Sequence, residues 1–187
     1  MKKILFQLIA GCFMASIFSS CNLFGLDLQK DFEYEYSPVE LTMDMSAYAF
    51  IESRKNMDMS LLYDAITLAG YQQEYEIDDR TFIILNDVAF TSYLKDNRYS
   101  GLQAMKVEDI KTLLNSYIVK GRYHSLDLTT TPVKVETMNP DAIMYLSLRP
   151  QNNDAQNKFE VRINDVVNSG KVVSVVTSNL QPTNGIM

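Results

Sequence analysis

Between residues 60 and 117 the apolar positions recur every three or four residues, whereas from residue 133 onward they alternate. No other feature constrains the fold as much, because side chains three and four apart share a helical face while those two apart share a strand face. "SLLYDAITLAGY" sets Leu61, Leu62, Ala65, Ile66 and Ala69 on one helical stripe, with Ser60 as the expected cap and Gly70 as the stop. "RTFIIL" (80–85) reads as a short strand. Asn86-Asp87 then caps a helix carrying Ala89, Phe90, Tyr93 and Leu94, and a further helix carries Val107, Ile110, Leu113, Leu114 and Tyr117. "VKVET", "AIMYLSLR", "KFEVRI" and "KVVSVVTS" read as strands separated by turn-forming residues. Helices first and antiparallel strands later argue for an α+β domain.

The chain opens "MKKILFQLIAGCFMASIFSSC", two lysines followed by an apolar run from Ile4 to Phe18, small residues and a cysteine. That is the layout of a secretory leader over residues 1–20, and the run is too short for a spanning helix of about 20 apolar residues. Ser19-Ser20-Cys21 resembles a lipobox, in which Cys21 receives lipid. Ile9-Ala10-Gly11-Cys12 matches that motif more closely, but its apolar region would be short and cleavage there would leave Phe13–Phe18 at the new terminus. Cys21 is the preferred lipidation site; an ordinary cleaved signal with a chance cysteine is the alternative.

Loss of the leader removes one of the two cysteines and lipid occupies the other. No intrachain disulfide is then possible, and the fold must rest on its core. The leader also takes Lys2, Lys3 and no acid with it, deepening a formal net charge of −6. So acidic a chain, without a basic run, is a poor partner for nucleic acid or for anionic lipid. Attachment to a membrane would run through the lipid. Residues 21–42, where Tyr34 and Tyr36 alternate with Glu33 and Glu35, are read as a spacer, and residues 43–187 have the length of one domain.

No catalytic spacing is present. The chain has no Gly-x-Ser-x-Gly, no His-Glu-x-x-His and no glycine-rich phosphate loop. Its single histidine, His124, follows Tyr123 at an expected strand start and cannot make a zinc site or a Cys-His pair alone. Asp78-Asp79 and Asn152-Asn153-Asp154 lack the alternating ligands of a calcium loop and are read as solvated. Met43, Met45, Met57 and Met59 are read as fillers of irregular core gaps. No cofactor or metal is expected. A hydrolase with dispersed carboxylates stays open as the weaker reading, and the absence of tryptophan leaves sugar platforms to tyrosine and phenylalanine.

Five segments, taken in order, resemble a fasciclin-like domain: Ala69-Gly70, "TFIILNDVAF" (81–90), "LLNSYIVKGRYHSLDL" (113–128), "VRINDVVNSG" (161–170) and "PTNGIM" (182–187). The resemblance implies helices packed on a small antiparallel sandwich or wedge of two sheets. It also implies adhesion or binding without catalysis. Ala69, Gly70, Ala89, Phe90, Leu113, Leu114, Tyr117, Gly121, Asn184 and Gly185 carry the motif and are read as mainly structural. The family's Tyr-His pair is Tyr117-Ile118 here, and Lys120 stands where proline is common. Ser178–Pro182 lacks an acidic integrin-binding stretch, so integrin recognition is not carried over.

Asn184-Gly185 is the strongest short turn signal in the chain, both residues tolerating positive φ. It leads into what the resemblance makes a final strand, expected to be cut short after Met187 and to leave 171–178 or 159–163 with an open edge. The functional expectation is an outer-membrane lipoprotein, periplasmic or surface-exposed, that binds a surface protein or polysaccharide. An accessory subunit of an outer-membrane glycan-uptake assembly is the alternative.

Overall fold

The computed structural model describes residues 41–150, 159–168 and 171–187. Among the described residues four α-helices come first: α1 (Ala47–Ser53), α2 (Ser60–Ala69), α3 (Asp87–Asp96) and α4 (Val107–Ser116). Strand β1 (Arg80–Phe82) sits between α2 and α3, and β2 (Ile118–Lys120) follows α4 directly. Then come β3 (Val133–Val135), β4 (Met144–Pro150), β5 (Phe159–Ile163), β6 (Val173–Ser174) and β7 (Gly185–Ile186). The strands form a three-stranded sheet in the order β2-β1-β7 and a four-stranded sheet in the order β3-β4-β5-β6. The α+β class is met.

Three of these four helices begin where polar side chains satisfy free N–H groups; α4, starting after Lys106, has no side-chain cap. Ser46 Oγ accepts from Ala49 N–H at the start of α1, and Asn86 Oδ1 accepts from Ala89 N–H at the start of α3. Ser60 was expected to cap α2 and does not. Its hydroxyl donates to Asp87 Oδ2 (2.8 Å), and Asp87 Oδ1 accepts from Leu61 N–H (2.8 Å). The carboxylate that begins α3 therefore also closes the start of α2, a cap of the kind worth about 1 kcal/mol. Gly70 ends α2 in the left-handed conformation at φ 65°, as its position implied.

Two apolar cores result, and β2 divides them. Ile118 faces the helical core with Phe82, Phe90, Ile66, Ile110 and Leu114, while the next residue, Val119, faces the sheet core with Val135, Leu146, Val161 and Ile163. Successive strand residues point to opposite faces, so one short strand serves both. Tyr117, at the end of α4, packs against each.

Several expectations fail locally. In "RTFIIL" the strand ends at Phe82, with Ile83 N–H still reaching Tyr117 O (2.9 Å), because the chain leaves the sheet to reach the Asn86 cap; Ile84 and Leu85 pack on the helical core instead. "KVVSVVTS" contributes just Val173 and Ser174 to the sheet. Val107, at the first turn of α4, is exposed rather than part of the buried stripe, and so are Met45 and Met57 among the four methionines. His124 starts no strand; its Nδ1 accepts from Leu126 N–H and caps a single 3-10 turn, Ser125–Asp127. Helix α1, seven residues long, is too short for its apolar spacing to mark it in the sequence.

The chain's last strand also lies elsewhere than expected. β7 runs parallel to β1, Arg80 opposite Gly185 and Thr81 opposite Ile186, so the three-stranded sheet is mixed rather than antiparallel. Strands β5 and β6 belong to the other sheet.

Candidate binding surface

Most of the motif residues meet inside the domain rather than on its surface. Ala69, Phe90, Leu113 and Leu114 are buried in the helical core. Ala89 is exposed, and its part is the backbone N–H held by Asn86. Gly121 has φ 87°, and its N–H donates to Asp79 O (3.0 Å) as β2 ends. Burial pushes the Tyr117 phenol above its ordinary pKa, as expected for an aromatic wedged between two cores. Cys21 and Asn152–Asp154 lie outside the described residues.

Asn184 and Gly185 hold the domain's last strand by a route the turn signal did not reveal. Neither has positive φ. The turn is closed instead by Gly185 N–H donating to Pro182 O at 3.3 Å. Asn184 is 3 % exposed, and its amide is used at both ends. Oδ1 accepts from Ala47 N–H (2.9 Å) at the start of α1, while Nδ2 donates to Tyr75 O (2.8 Å) and Ile77 O (3.3 Å). One side chain therefore ties three separate segments. Gly185 is required by space: a Cβ there would stand 2.4 Å from Arg80 O and 2.8 Å from the Phe82 ring.

The four-stranded sheet has two unlike faces. Its outer face is ionic: Arg149 Nε donates to Asp165 Oδ2 (2.6 Å), and Arg162 Nε donates to Glu160 Oε1 (2.7 Å), which also accepts from Ser174 Oγ. Ser147, opposite Arg162 on this face, is fully buried, and its hydroxyl has no partner among the described residues.

The inner face is apolar and only partly covered. Leu146 and Ile163 are buried, yet Val173, directly opposite Ile163, is 45 % exposed, and Phe159, two residues before Val161, is 56 % exposed. Val175, whose N–H still reaches Val161 O (2.8 Å), is half-buried between them. Among the described residues β6 ends the sheet, so the apolar margin Phe159, Val173 and Val175 adjoins a strand edge. The alternation in "FEVRI" marked which side chains point inward; how far the rest of the domain covers them depends on packing that no local pattern encodes.

Among the described residues no group of three or more His, Cys, Asp or Glu side chains could hold a metal ion. No described helix is long and apolar enough to cross a membrane.

A family profile described as Fasciclin domain matches residues 57–187. No curated protein matches the chain. Among solved structures, a FAS1 domain pair from the insect cell adhesion molecule Fasciclin I is similar, with a TM-score of 0.44 and 17 % identity, over 75 % of this chain and 42 % of that one. The chain thus spans less than half the length of that neighbour.

Proposed function

Because the chain belongs to the fasciclin domain family, we propose that it works as a non-enzymatic binding module, anchored at the cell envelope through lipid on Cys21. It engages a protein partner through the uncovered apolar margin of its four-stranded sheet. The margin of exposed Phe159 and Val173 with half-buried Val175, beside the β6 edge, carries this reading. A polysaccharide would need flat aromatic faces and convergent hydrogen-bonding groups. This margin has a single aromatic ring, Phe159, beside the aliphatic Val173 and Val175, and its strand edge offers the chemistry by which an extended segment of another protein adds to a sheet.

Cross-linking on intact cells, followed by identification of the attached protein, tests the proposal. Val173→Lys should abolish the cross-linked species while leaving the melting temperature near that of the parent. Retention of the same partner by that variant refutes the surface. A transporter as the attached protein would favour the accessory role in glycan uptake. Cys21→Ser should leave an unlipidated precursor or a soluble form; labelled fatty acid entering that variant, but not Cys12→Ser, would move the anchor to Cys12.

A further inference from the structure

Asn184-Gly185 is the chain's only Asn-Gly pair, and it is both structurally necessary and chemically labile. In such a pair the backbone nitrogen of the glycine can attack Cγ of the asparagine side chain. The new N–Cγ bond closes a five-membered succinimide, and the Cγ–Nδ2 bond breaks. Nδ2 leaves as ammonia, and the proton displaced from the glycine nitrogen balances the step. Water then opens the ring at either carbonyl, giving aspartate or isoaspartate. No redox partner is involved. Glycine favours ring closure because it has no Cβ to obstruct it. The absence of a Cβ is also what lets Gly185 lie against Arg80 O and the Phe82 ring.

The folded geometry restrains both reacting groups. Gly185 N–H is engaged by Pro182 O, and the Asn184 amide is held by Ala47, Tyr75 and Ile77, backbone groups from outside its own turn. Cγ cannot swing toward the Gly185 nitrogen without releasing those three hydrogen bonds in a site closed to solvent. We propose that Asn184 is a latent deamidation site, shielded while its amide clamps α1 to the Tyr75–Ile77 segment and reactive once that clamp opens. Reaction makes unfolding irreversible. An aspartate at 184 still accepts from Ala47 N–H, but it sets a carboxylate oxygen against the Tyr75 and Ile77 carbonyls with no proton to offer them. An isoaspartate adds a methylene to the main chain at the residue before β7, which shifts the pairing of Gly185 with Arg80.

The test needs only the full chain. Native protein and protein in denaturing urea are incubated in the same mildly alkaline buffer. Peptide mapping by mass spectrometry then distinguishes Asn, Asp and isoAsp at 184, with Asn115-Ser116 as a slower internal reference. Conversion should be at least about tenfold slower in the native protein, a factor that corresponds to about 1.4 kcal/mol of opening free energy. On removal of urea, the fraction that regains the native melting transition should match the fraction still carrying Asn184. Equal rates in the two conditions overturn the shielding. Asn184→Asp provides a second readout and should melt well below the parent or fail to fold; a parent-like transition overturns the claim that reaction locks the chain out of its fold.

Discussion

The helical core and the sheet core differ in how completely they close, although they share β2. Around Phe90, Phe82, Ile66 and Leu114 the helices and the three-stranded sheet leave apolar side chains almost no solvent contact. The four-stranded sheet buries the middle of its inner face and leaves Phe159 and Val173 largely open at the margin. Ile118 and Val119, adjacent and both fully buried, each support one of the two cores. The comparison assigns stability to one region and leaves the other with apolar surface available to a partner.

The largest test of that division is truncation within the closed core. Phe90→Ala or Leu114→Ala should cost about 2–5 kcal/mol, since each leaves a cavity among side chains that cannot collapse onto it. Against a total of about 5–15 kcal/mol, such a loss would unfold a large share of molecules. A denaturant midpoint unchanged in either variant would mean that the helical core is not what holds the domain.

Next in size is Ile118, where the family's motif carries histidine. Ile118→Val should cost about 0.5–1.5 kcal/mol. Ile118→His should cost more, because a buried ring nitrogen without a partner adds about 1–3 kcal/mol to the lost packing. A parent-like melting temperature for Ile118→His would reveal a polar pocket beside β2.

Tyr75 sharpens the same comparison through pH. It is buried against Phe82, with ring centroids 5.4 Å apart, and desolvation raises its phenol well above the ordinary 10.0. In the unfolded chain the phenol loses its proton near pH 10; in the folded chain it keeps it to a higher pH. Below about pH 10 its contribution is fully present. Above it the unfolded state binds fewer protons, so stability falls as pH rises toward the folded-state value. Tyr75→Phe should flatten the alkaline limb of a stability–pH curve, and an unchanged limb would show that Tyr75 does not control it.

These residues also show where sequence reasoning succeeds. Phe90, Ile110 and Leu114 were legible because helix periodicity is a local property repeated over three turns. Ser60 misled because its cap arrives from Asp87, 27 residues away, and spacing does not encode such a partner. Asn184-Gly185 was read at the right position with the wrong cause. The pair marks a turn, but asparagine is needed for its amide and glycine for the approach of Arg80 and Phe82. The open margin was legible in place but not in cause: 159–163 and 171–178 do carry it, yet β7 belongs to the other sheet, and it is tertiary packing that leaves most of "KVVSVVTS" outside the four-stranded one.

The smallest expected effect, at Val173, comes from making one substitution both in the closed middle of the sheet core and at its open margin. Val and Thr have nearly the same shape, so Val→Thr changes little except the addition of a hydroxyl. At Val119, fully buried between Tyr117 and the sheet core, that hydroxyl has to find a partner or lose its hydration, at about 1–3 kcal/mol. At Val173 water reaches the side chain, and the same change should stay within about 0.5 kcal/mol. Melting curves of the two variants, measured side by side, read the difference in closure directly. Equal losses at the two sites would mean that the β6 margin is covered in solution. A loss at Val119 alone, with weaker capture of the cross-linked partner by Val173→Thr, would place stability and binding in separate regions of one domain.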